Sequence, residues 1–345
     1  MRVLGIETSC DETSAAVVRR DGDAVALESL AILSQDVHRI FGGVVPELAS
    51  RAHLLAIDAV VDDALIRAGV ALGELDGIAV TRGPGLLGSL LVGLTWAKTL
   101  AWRERLPLIG VHHLEGHLFA ATLESPDVQP PFVALLASGG HTMLLDVPAW
   151  GAYRLLGQTR DDAAGEAFDK VGSLLSLEYP AGAALERLAA QGDPRRYTFP
   201  RPLLKDSTDP FAFSFSGLKT AVLRAVQQSA DLALERADIA RGFQDAMIDV
   251  LVAKTSLAAQ SYRRELVVIG GGVACNRALA KAMVSALEGR ARVAVATPRL
   301  NTDNAAMIAA AGSWRLMRGE RDGTDLDARD SLPLPGLINQ TGAAA

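Results

Sequence analysis

The chain has 345 residues, of which 49% are hydrophobic and 21% charged, and its formal net charge is −6. This length exceeds what one hydrophobic core usually serves, so we expect a globular protein of two domains. The acidic balance excludes a uniformly basic protein that grips nucleic acid unaided. No apolar run could span a bilayer, and acids replace the apolar stretch of a signal peptide, so we expect a cytoplasmic protein without a membrane partner. Cys10 and Cys275 are too few for a disulfide framework.

The sequence opens with an apolar strand, a polar turn and a second strand. RVLGI at 2–6 is the first strand, ETSCDET the turn and SAAVVRR the resumed strand. Helical spacing follows at 54–68, and a strand at 77–81 leads through the glycine-rich TRGPGLLG into a helix at 89–101. This order of strand, glycine turn and helix presents unpaired N–H groups to an anion, although glycine-rich turns are common.

The opening pattern returns about 130 residues later, which indicates an internal duplication with one copy opening each domain. FVALLA at 132–137 is the strand, SGGHT the turn and MLLDV the resumed strand. Both turns are rich in small residues and expose backbone N–H groups, which suits a phosphate-like ligand. Two further strands, at 266–269 and 293–296, lead into GGGVACN and TPRLNTDNAAM, each followed by a helix.

The segment between these strands has a helical pattern. Helical spacing occupies 161–190, and a second helix at 213–226 has Ser214 or Ser216 as a candidate N-cap. We therefore expect a helical insertion at about 150–225 in the second lobe.

The predicted architecture is α/β, with two duplicated, ribonuclease H-like lobes on the plan of actin, sugar kinases and Hsp70. Ligand loops at the strand ends are expected to face an interlobe cleft for nucleotide and metal. A doubly wound dinucleotide fold is disfavoured because no G-x-G-x-x-G follows the first strand. We expect the N-terminal lobe at 1–128, the C-terminal lobe at 129–325 and a mobile polar tail at 326–345.

The stretch VHHLEGHL at 111–118 holds three of the six histidines. On a helix, His113 and His117 lie four residues apart on one face and can share a metal, whereas His112 points elsewhere. A third ligand must come from elsewhere, and Asp303, just before the alanine-rich helix, is the best candidate. The alternative is that these histidines cap or pack a helix.

The same stretch comes close to the zinc-protease motif His-Glu-x-x-His without matching it. In that motif the glutamate directly follows the first histidine and acts as general base. Here Leu114 occupies that place and the glutamate is Glu115. At about 100° per residue, the histidine pair centres at about 20° from His113 and Glu115 lies at about 200°. Glu115 therefore points away from the metal, and the protease interpretation loses its base.

Nine motifs, taken in their order along the chain, resemble one family. They are GIETSCDET, GGVVPELASR, GPGLLGSLLVG, HHLEGH, LLASGGHT, DDAAGEAFDK, FSFSGLKT, GGGVACN and TDNAAMIA. They are similar to those of the TsaD family, the tRNA N6-adenosine threonylcarbamoyltransferases. The resemblance implies an ASKHA-type fold (the superfamily of sugar kinases, Hsp70 and actin) and an acyltransferase acting on tRNA. Such an enzyme transfers the threonylcarbamoyl group of L-threonylcarbamoyl-adenylate to N6 of the adenosine 3′ of the anticodon in tRNAs reading ANN codons, releasing AMP.

The resemblance also implies functional residues. Metal ligands fall on His113, His117 and Asp303, which hold one divalent ion, foremost Fe²⁺ with Zn²⁺ as the alternative. Asp11 and Glu12 fall on positions associated with catalysis. The substrate-binding positions are Leu136, Ala137, Ser138, Gly139, Gly140, Asp169, Gly182, Glu186 and Asn276.

One segment departs from the family pattern. The family commonly has Pro-Gly-Gly-Pro where this chain has PAGAALE at 180–186, with Ala181 and Ala183 beside Gly182. Alanine does not readily adopt positive φ, so we expect a differently shaped or more helical loop. A change there would alter nucleotide affinity.

Partners implied by the resemblance are tRNA, a TsaB-like paralogous subunit and a TsaE-like ATPase. DPRRYTFPRPLLKD at 193–206 is locally basic, and we expect it to contact tRNA phosphates, with a solvated loop as the alternative. Two other functions compete with the transferase: a small-molecule or sugar kinase, and a non-catalytic nucleotide-sensing module. A metal bound by the purified protein would favour the transferase over the kinase. Modification of tRNA would favour the transferase over the sensing module.

Overall fold

The computed structural model describes residues 1–338. Its strands are β1 (Arg2–Glu7), β2 (Glu12–Asp21), β3 (Ala24–Ser34), β4 (Gly77–Gly83), β5 (Leu108–His112), β6 (Phe132–Ala137), β7 (Thr142–Ala149), β8 (Ala152–Gln158), β9 (Leu266–Gly270) and β10 (Arg292–Val295). Its α-helices are α1 (Pro46–Ala68), α2 (Leu87–Glu104), α3 (His113–Ala120), α4 (Ala164–Leu174), α5 (Gly182–Ala189), α6 (Ser216–Gln228), α7 (Leu232–Tyr262), α8 (Arg277–Leu287), α9 (Pro298–Asn301) and α10 (Ala305–Met317).

Across the described residues the strands form two five-stranded sheets with one shared topology. The first has the order β3-β2-β1-β4-β5, and the second has the matching order β8-β7-β6-β9-β10. In each sheet the first three strands in this order pair antiparallel. The central strand, β1 or β6, and the two strands that follow it in the order pair in parallel. The predicted duplication is therefore confirmed at the level of strand order and direction.

Five elements were not among those predicted from the sequence. They are the antiparallel edge strands β3 and β8, the parallel strand β5, the 31-residue helix α7 and the short helix α9. The helical stretch expected at 161–190 is two helices, because α4 ends at Leu174 and α5 begins at Gly182. Pro180 lies in the break, where its missing N–H and fixed φ do not suit a helix interior.

The cap of α6 also differs from the prediction. Neither Ser214 nor Ser216 serves as N-cap, and that position is Phe215. The carboxylate of Asp161 accepts hydrogen bonds from the backbone N–H groups of Phe215 and Ser216 and from both serine hydroxyls, at 2.5–3.2 Å. An acid distant in sequence therefore satisfies the helix start.

The contacts group the chain into two compact units, and each has its own core. One unit comprises residues 1–129 and 296–335, and the other comprises residues 130–295 and the segment that begins at Gly336. Residues 296–325 were expected in the C-terminal lobe and residues 326–335 in the tail, whereas both segments group with the first unit. The cause is α10, which packs across β1, β2 and β4.

The expected mobile tail is packed as far as the structure describes it. Leu326 and Ala328 are buried in the first unit, and Lys98 Nζ donates to the Leu326 carbonyl at 2.9 Å. Leu337 forms a bridge with Tyr153 in the second unit. Residues 339–345 of the predicted tail lie outside the described residues. No helix within residues 1–338 combines the length and apolar character needed to cross a membrane.

Small residues set the close approach of α10 to the first sheet. A Cβ at Gly5 would collide with the carbonyl oxygen of Ala305 and with Ala309, and a Cβ at Gly312 would collide with Ala79. The alanine-rich sequence of α10 is therefore what lets the helix lie against the sheet. This packing brings the residues just before α10 to the ends of β1 and β5.

Candidate functional site

The histidine stretch begins where β5 ends. His112 is the last residue of β5 and the N-cap of α3, where its Nδ1 accepts from Leu114 N–H at 3.2 Å. Its Nε2 lies 2.9 Å from the carbonyl oxygen of Leu332. Both ring nitrogens of His112 therefore contact backbone groups, at Leu114 and Leu332.

The three predicted metal ligands come together in the first unit. Nε2 of His113 and Nε2 of His117 each lie 3.4 Å from Oδ1 of Asp303. One ligand atom from each residue lies within 4.8 Å of the others. Asn304 caps α10 through a hydrogen bond from Met307 N–H at 3.1 Å, which leaves the Asp303 side chain directed at the histidines.

The residues present fit a metal ion. Within residues 1–338, neither ring nitrogen of the buried His117 has a hydrogen-bond partner. Buried polar nitrogens rarely remain unsatisfied, so an orphaned imidazole beside a carboxylate indicates a ligand. Two imidazoles and one carboxylate form the open three-ligand donor set of catalytic metal sites. We call His113, His117 and Asp303 the metal triad.

Charge is strongly coupled within the metal triad. Burial alone would raise the pKa of Asp303, but His113 and His117 hold it well below its usual range. Burial alone would lower the pKa of His113, but Asp303 and Glu7 raise it well above its usual range. A cation bound there would take the place of the proton that these groups share.

Glu7 is a site residue that the sequence reasoning missed. It is fully buried at the end of β1, with Oε2 lying 3.1 Å from Nδ1 of His113. Its carboxylate also accepts from Ser9 N–H at 2.5 Å and from Thr81 Oγ–H at 2.6 Å. Burial alone would raise the pKa of Glu7, but His113 lowers it below its usual value. The signal available in the sequence was a single acid ending the apolar run RVLGIE.

The two acids predicted to be catalytic lie in the turn between β1 and β2. Burial, together with the charges of Asp303 and Asp11, raises the pKa of Glu12 to about 9. Glu12 therefore belongs to the same electrostatic site as the metal triad. The backbone carbonyl of Asp11 accepts from Gln35 N–H at 3.1 Å, which ties the turn to the end of β3.

The glycine turn after β6 lies in the second unit. Leu136 and Ala137 are buried residues at the end of β6. Gly139 and Gly140 are exposed, and a Cβ at either would meet open space. Ser138 accepts from Gly165 N–H through its carbonyl at 3.1 Å, which fixes the turn against the start of α4.

The remaining predicted substrate-binding residues form a connected set in the second unit. Asp169 accepts from Ala181 N–H at 2.8 Å, next to Gly182 at the start of α5. Glu186, on the same helix, accepts from Arg277 N–H at 2.7 Å. Asn276 caps α8 and also donates to Gln244 at 2.9 Å. The structure therefore joins these residues through α5, separately from the metal triad of the first unit.

The PAGAALE segment enters a helix at Gly182. Ala181 has φ −86° and ψ −15° and is the N-cap of α5, which continues from Gly182 to Ala189. No residue of α5 adopts a positive φ. That the alanines make this loop more helical than the family's Pro-Gly-Gly-Pro loop stays a prediction.

The basic segment at 193–206 carries its own counter-charges. Arg195 pairs with Asp193 at 2.9 Å, and Arg201 pairs with Asp249 at 2.7 Å. Arg196 lies 3.7 Å from both Glu235 and Asp238. These acids weaken the local positive field that the sequence cluster suggested.

Solved structures share the two-sheet plan at low sequence identity. HypF of T. kodakarensis matches with a TM-score of 0.62 and 14% identity, over 92% of this chain and 48% of that one. Component A of the (R)-2-hydroxyglutaryl-CoA dehydratase of Acidaminococcus fermentans matches with a TM-score of 0.54 and 15% identity, over 90% of this chain and 96% of that one. These likenesses show the fold, which places the chain in a structural class of α/β proteins built on two matching five-stranded sheets.

Closer relatives define the family within that class. The family described as TsaD, tRNA N6-adenosine threonylcarbamoyltransferase, matches residues 26–310. A protein of that name from Gemmatimonas aurantiaca is 60% identical over 351 residues, with 98% of both chains covered. Another, from Geobacter metallireducens, is 53% identical over 337 residues, with 97% of both covered. The chain therefore belongs to the TsaD family, and it is an acyltransferase that places a threonylcarbamoyl group on N6 of an adenosine in tRNA.

Proposed function

We propose that the donor is L-threonylcarbamoyl-adenylate and the acceptor is the adenosine 3′ of the anticodon in tRNAs that read ANN codons. The adenosine N6 attacks the carbamoyl carbon, the bond from that carbon to the phosphate oxygen breaks, and AMP leaves. One proton is lost from N6. The observation that carries this proposal is the grouping of His113, His117 and Asp303 in a chain of this family.

The chemistry places specific demands on the residues. An exocyclic aromatic amine is a weak nucleophile, so the site must orient the reactants, stabilise charge on the carbonyl oxygen and accept a proton. A bound divalent ion would polarise a carbonyl or phosphoryl oxygen of the donor. We assign the proton to Glu12 or Asp11, and cationic charge near Asp303 would favour the ionised form of Glu12 that a base requires.

We propose Fe²⁺ as the ion, with Zn²⁺ as the alternative. Support comes from the ligand atoms, because imidazole nitrogen suits Fe and Zn, whereas sites made of oxygen ligands alone suit magnesium. His113, His117 and Asp303 would supply three ligands and leave positions open for donor oxygens.

We propose that the second-unit set binds the adenylate. The exposed backbone at Gly139 and Gly140 offers N–H groups to the phosphate. Asp169 and Glu186 offer carboxylates, which accept hydrogen bonds from ribose hydroxyls. Asn276 stands at the N-terminus of α8, where helix N–H groups favour an anion.

We propose that tRNA binding is shared with a TsaB-like subunit and a TsaE-like ATPase, in the cytoplasm where tRNA is modified. Support for a docked subunit is apolar exposure on the helix pair α1 and α2. Leu55 and Ile66 on α1 are 86% and 78% exposed, and Trp102 on α2 is 76% exposed. Trp96 Nε1 donates to Asp58 at 2.7 Å and joins the two helices. Exposed apolar patches of this kind mark protein interfaces.

The donor assignment is tested by supplying synthetic adenylate. The protein and its partners are incubated with unmodified tRNA and threonylcarbamoyl-adenylate, and AMP and the modified nucleoside are quantified by mass spectrometry. The proposal expects one AMP released for each nucleoside formed. Product from threonine, bicarbonate and ATP alone, without an adenylate-forming enzyme, would contradict it.

A further inference from the structure

We propose that Glu7 is a positioning residue that holds His113 in its Nδ1–H tautomer, so that Nε2 faces the metal. This inference rests on the proposed metal-binding role of the metal triad. The hydrogen bonds of Glu7 are to His113, Ser9 and Thr81, so within the metal triad it contacts His113.

The hydrogen bonds around Glu7 define which atom carries the proton. The Glu7 carboxylate accepts from Ser9 N–H and Thr81 Oγ–H, which satisfy both of its oxygens and stabilise its charge in a buried position. An ionised carboxylate can only accept hydrogen bonds. Nδ1 of His113, 3.1 Å from Oε2, must therefore be the donor. Ser9 Oγ, 3.2 Å from the same nitrogen, offers a second oxygen on that side of the ring.

The consequence appears at the other ring nitrogen. A metal ion would take the place of the proton at Nε2 that faces Asp303, and the resulting neutral imidazole would keep its one N–H on Nδ1, opposite Glu7. Nε2 is the atom that lies 3.4 Å from Asp303 Oδ1. A carboxylate bonded to the far nitrogen of a ligating histidine fixes its tautomer and orientation and raises its basicity.

Sheet topology explains why these residues meet. β1 pairs in parallel with β4, and β4 pairs in parallel with β5. The ends of parallel strands lie at one edge of a sheet, so Glu7 at the end of β1, Thr81 in β4 and His113 just after β5 become neighbours. Thr81 lies in β4 and Ser9 follows β1 by two residues, so both hydrogen-bond donors to Glu7 are positioned by the first sheet. His117 lacks an equivalent, since within residues 1–338 its Nδ1 has no hydrogen-bond partner.

The variant Glu7→Gln tests the tautomer directly. An amide can present N–H to Nδ1, which would move the ring proton to Nε2 and block metal binding there. Zn²⁺ alone is the probe, titrated into chelator-treated protein against a chromophoric competitor. We expect affinity for Zn²⁺ to fall by about 10- to 100-fold in Glu7→Gln. Glu7→Asp keeps the carboxylate and should recover part of that loss.

Glu115→Gln is the matched control, because it is the same change at another fully buried glutamate, on the histidine helix itself. It should retain wild-type affinity for Zn²⁺. If the wild-type protein binds no Zn²⁺, the proposed metal role fails. If the wild-type binds and Glu7→Gln binds equally well, the metal role stands and the positioning role of Glu7 is overturned.

A second measurement reads the tautomer in the wild-type protein and does not depend on the folding of the Glu7 variants. Long-range ¹⁵N–¹H correlation spectra of ¹⁵N-histidine-labelled wild-type protein with Zn²⁺ report which ring nitrogen carries the proton. His113 is assigned by its absence in His113→Gln. We expect a protonated Nδ1 and a metal-bound Nε2 for His113. A protonated Nε2 with Zn²⁺ on Nδ1 would overturn the inference.

Discussion

Both carboxylate oxygens of Glu115 accept hydrogen bonds from the guanidinium of Arg315, at 2.8 Å each. Arg315 lies near the end of α10, about 15 Å along the helix axis from its first residue Ala305, whereas Asp303 lies just before that start. Glu115 therefore points to the far end of α10, while His113 and His117 on the same short helix point to Asp303. The glutamate that makes this stretch look like a protease motif is a buried ion-pair residue.

Glu115→Gln should lower stability without changing metal binding or transfer. The change removes the charge that Glu115 presents to Arg315 but leaves Arg315 paired with Glu320 at 2.5 Å, so we expect a cost of about 1.5–3 kcal/mol in the free energy of unfolding. Urea unfolding measures that loss, and Zn²⁺ titration with a transfer assay at low temperature measures function. Loss of metal at unchanged stability would show that Glu115 acts at the metal.

The pH dependence of stability reports on Glu12. Its pKa is raised to about 9 in the folded protein, against an ordinary value of 4.5. Between these values the folded state keeps a proton that the unfolded state has released, so this group's contribution to stability is lost as pH rises toward 9. In metal-free protein, Glu12→Gln should therefore gain stability relative to wild type from about pH 5 to pH 9. Parallel melting curves across that range would contradict the raised pKa.

The rate of threonylcarbamoyl transfer in single variants shows whether Glu12 or Asp11 is the general base. The variant that removes the base should slow transfer by about 10²- to 10⁴-fold while metal content stays constant. Glu12→Gln and Asp11→Asn preserve side-chain size, so each serves as the other's control. Were both variants to keep the wild-type rate, neither acid would be the base.

Salt dependence of tRNA binding tests the basic segment. Arg195→Glu should weaken binding and reduce the slope of log K against log salt by about one for each lost phosphate contact. Arg224→Glu on α6 is the matched control, an exposed arginine in the same unit outside the segment. Equal slopes for both variants would remove Arg195 from the footprint.

Local geometry explains what the sequence could reveal. That His113 and His117 share one face follows from helical spacing alone. The position of Asp303 just before α10 made it the candidate third ligand, and because Asn304 caps the helix, the Asp303 side chain is left to face the histidines. Glu7 was missed because its contact with His113 spans 106 residues and depends on the order of parallel strands. The capping of α6 by Asp161 was missed for the same reason, since that contact spans 54 residues.

The helix α10 shows the same limit at the level of domains. Its sequence follows the second sheet's last strand, so chain order assigned it to the second lobe. It belongs to the first unit because it packs on β1, β2 and β4. Glycine and alanine on the helix and on the sheet permit this close contact. Hydrophobic periodicity and motif spacing do not predict which sheet a helix packs on when the contact is distant in sequence.

The central claim is that His113, His117 and Asp303 hold one metal ion that transfer requires. The direct test titrates Fe²⁺, under anaerobic conditions, into chelator-treated protein with its partners, unmodified tRNA and threonylcarbamoyl-adenylate, and quantifies the modified nucleoside by mass spectrometry. The transfer rate should rise to a plateau at one equivalent of metal for each chain, and His113→Ala should show no rise. A full rate in metal-free protein, or in His113→Ala, would contradict the account.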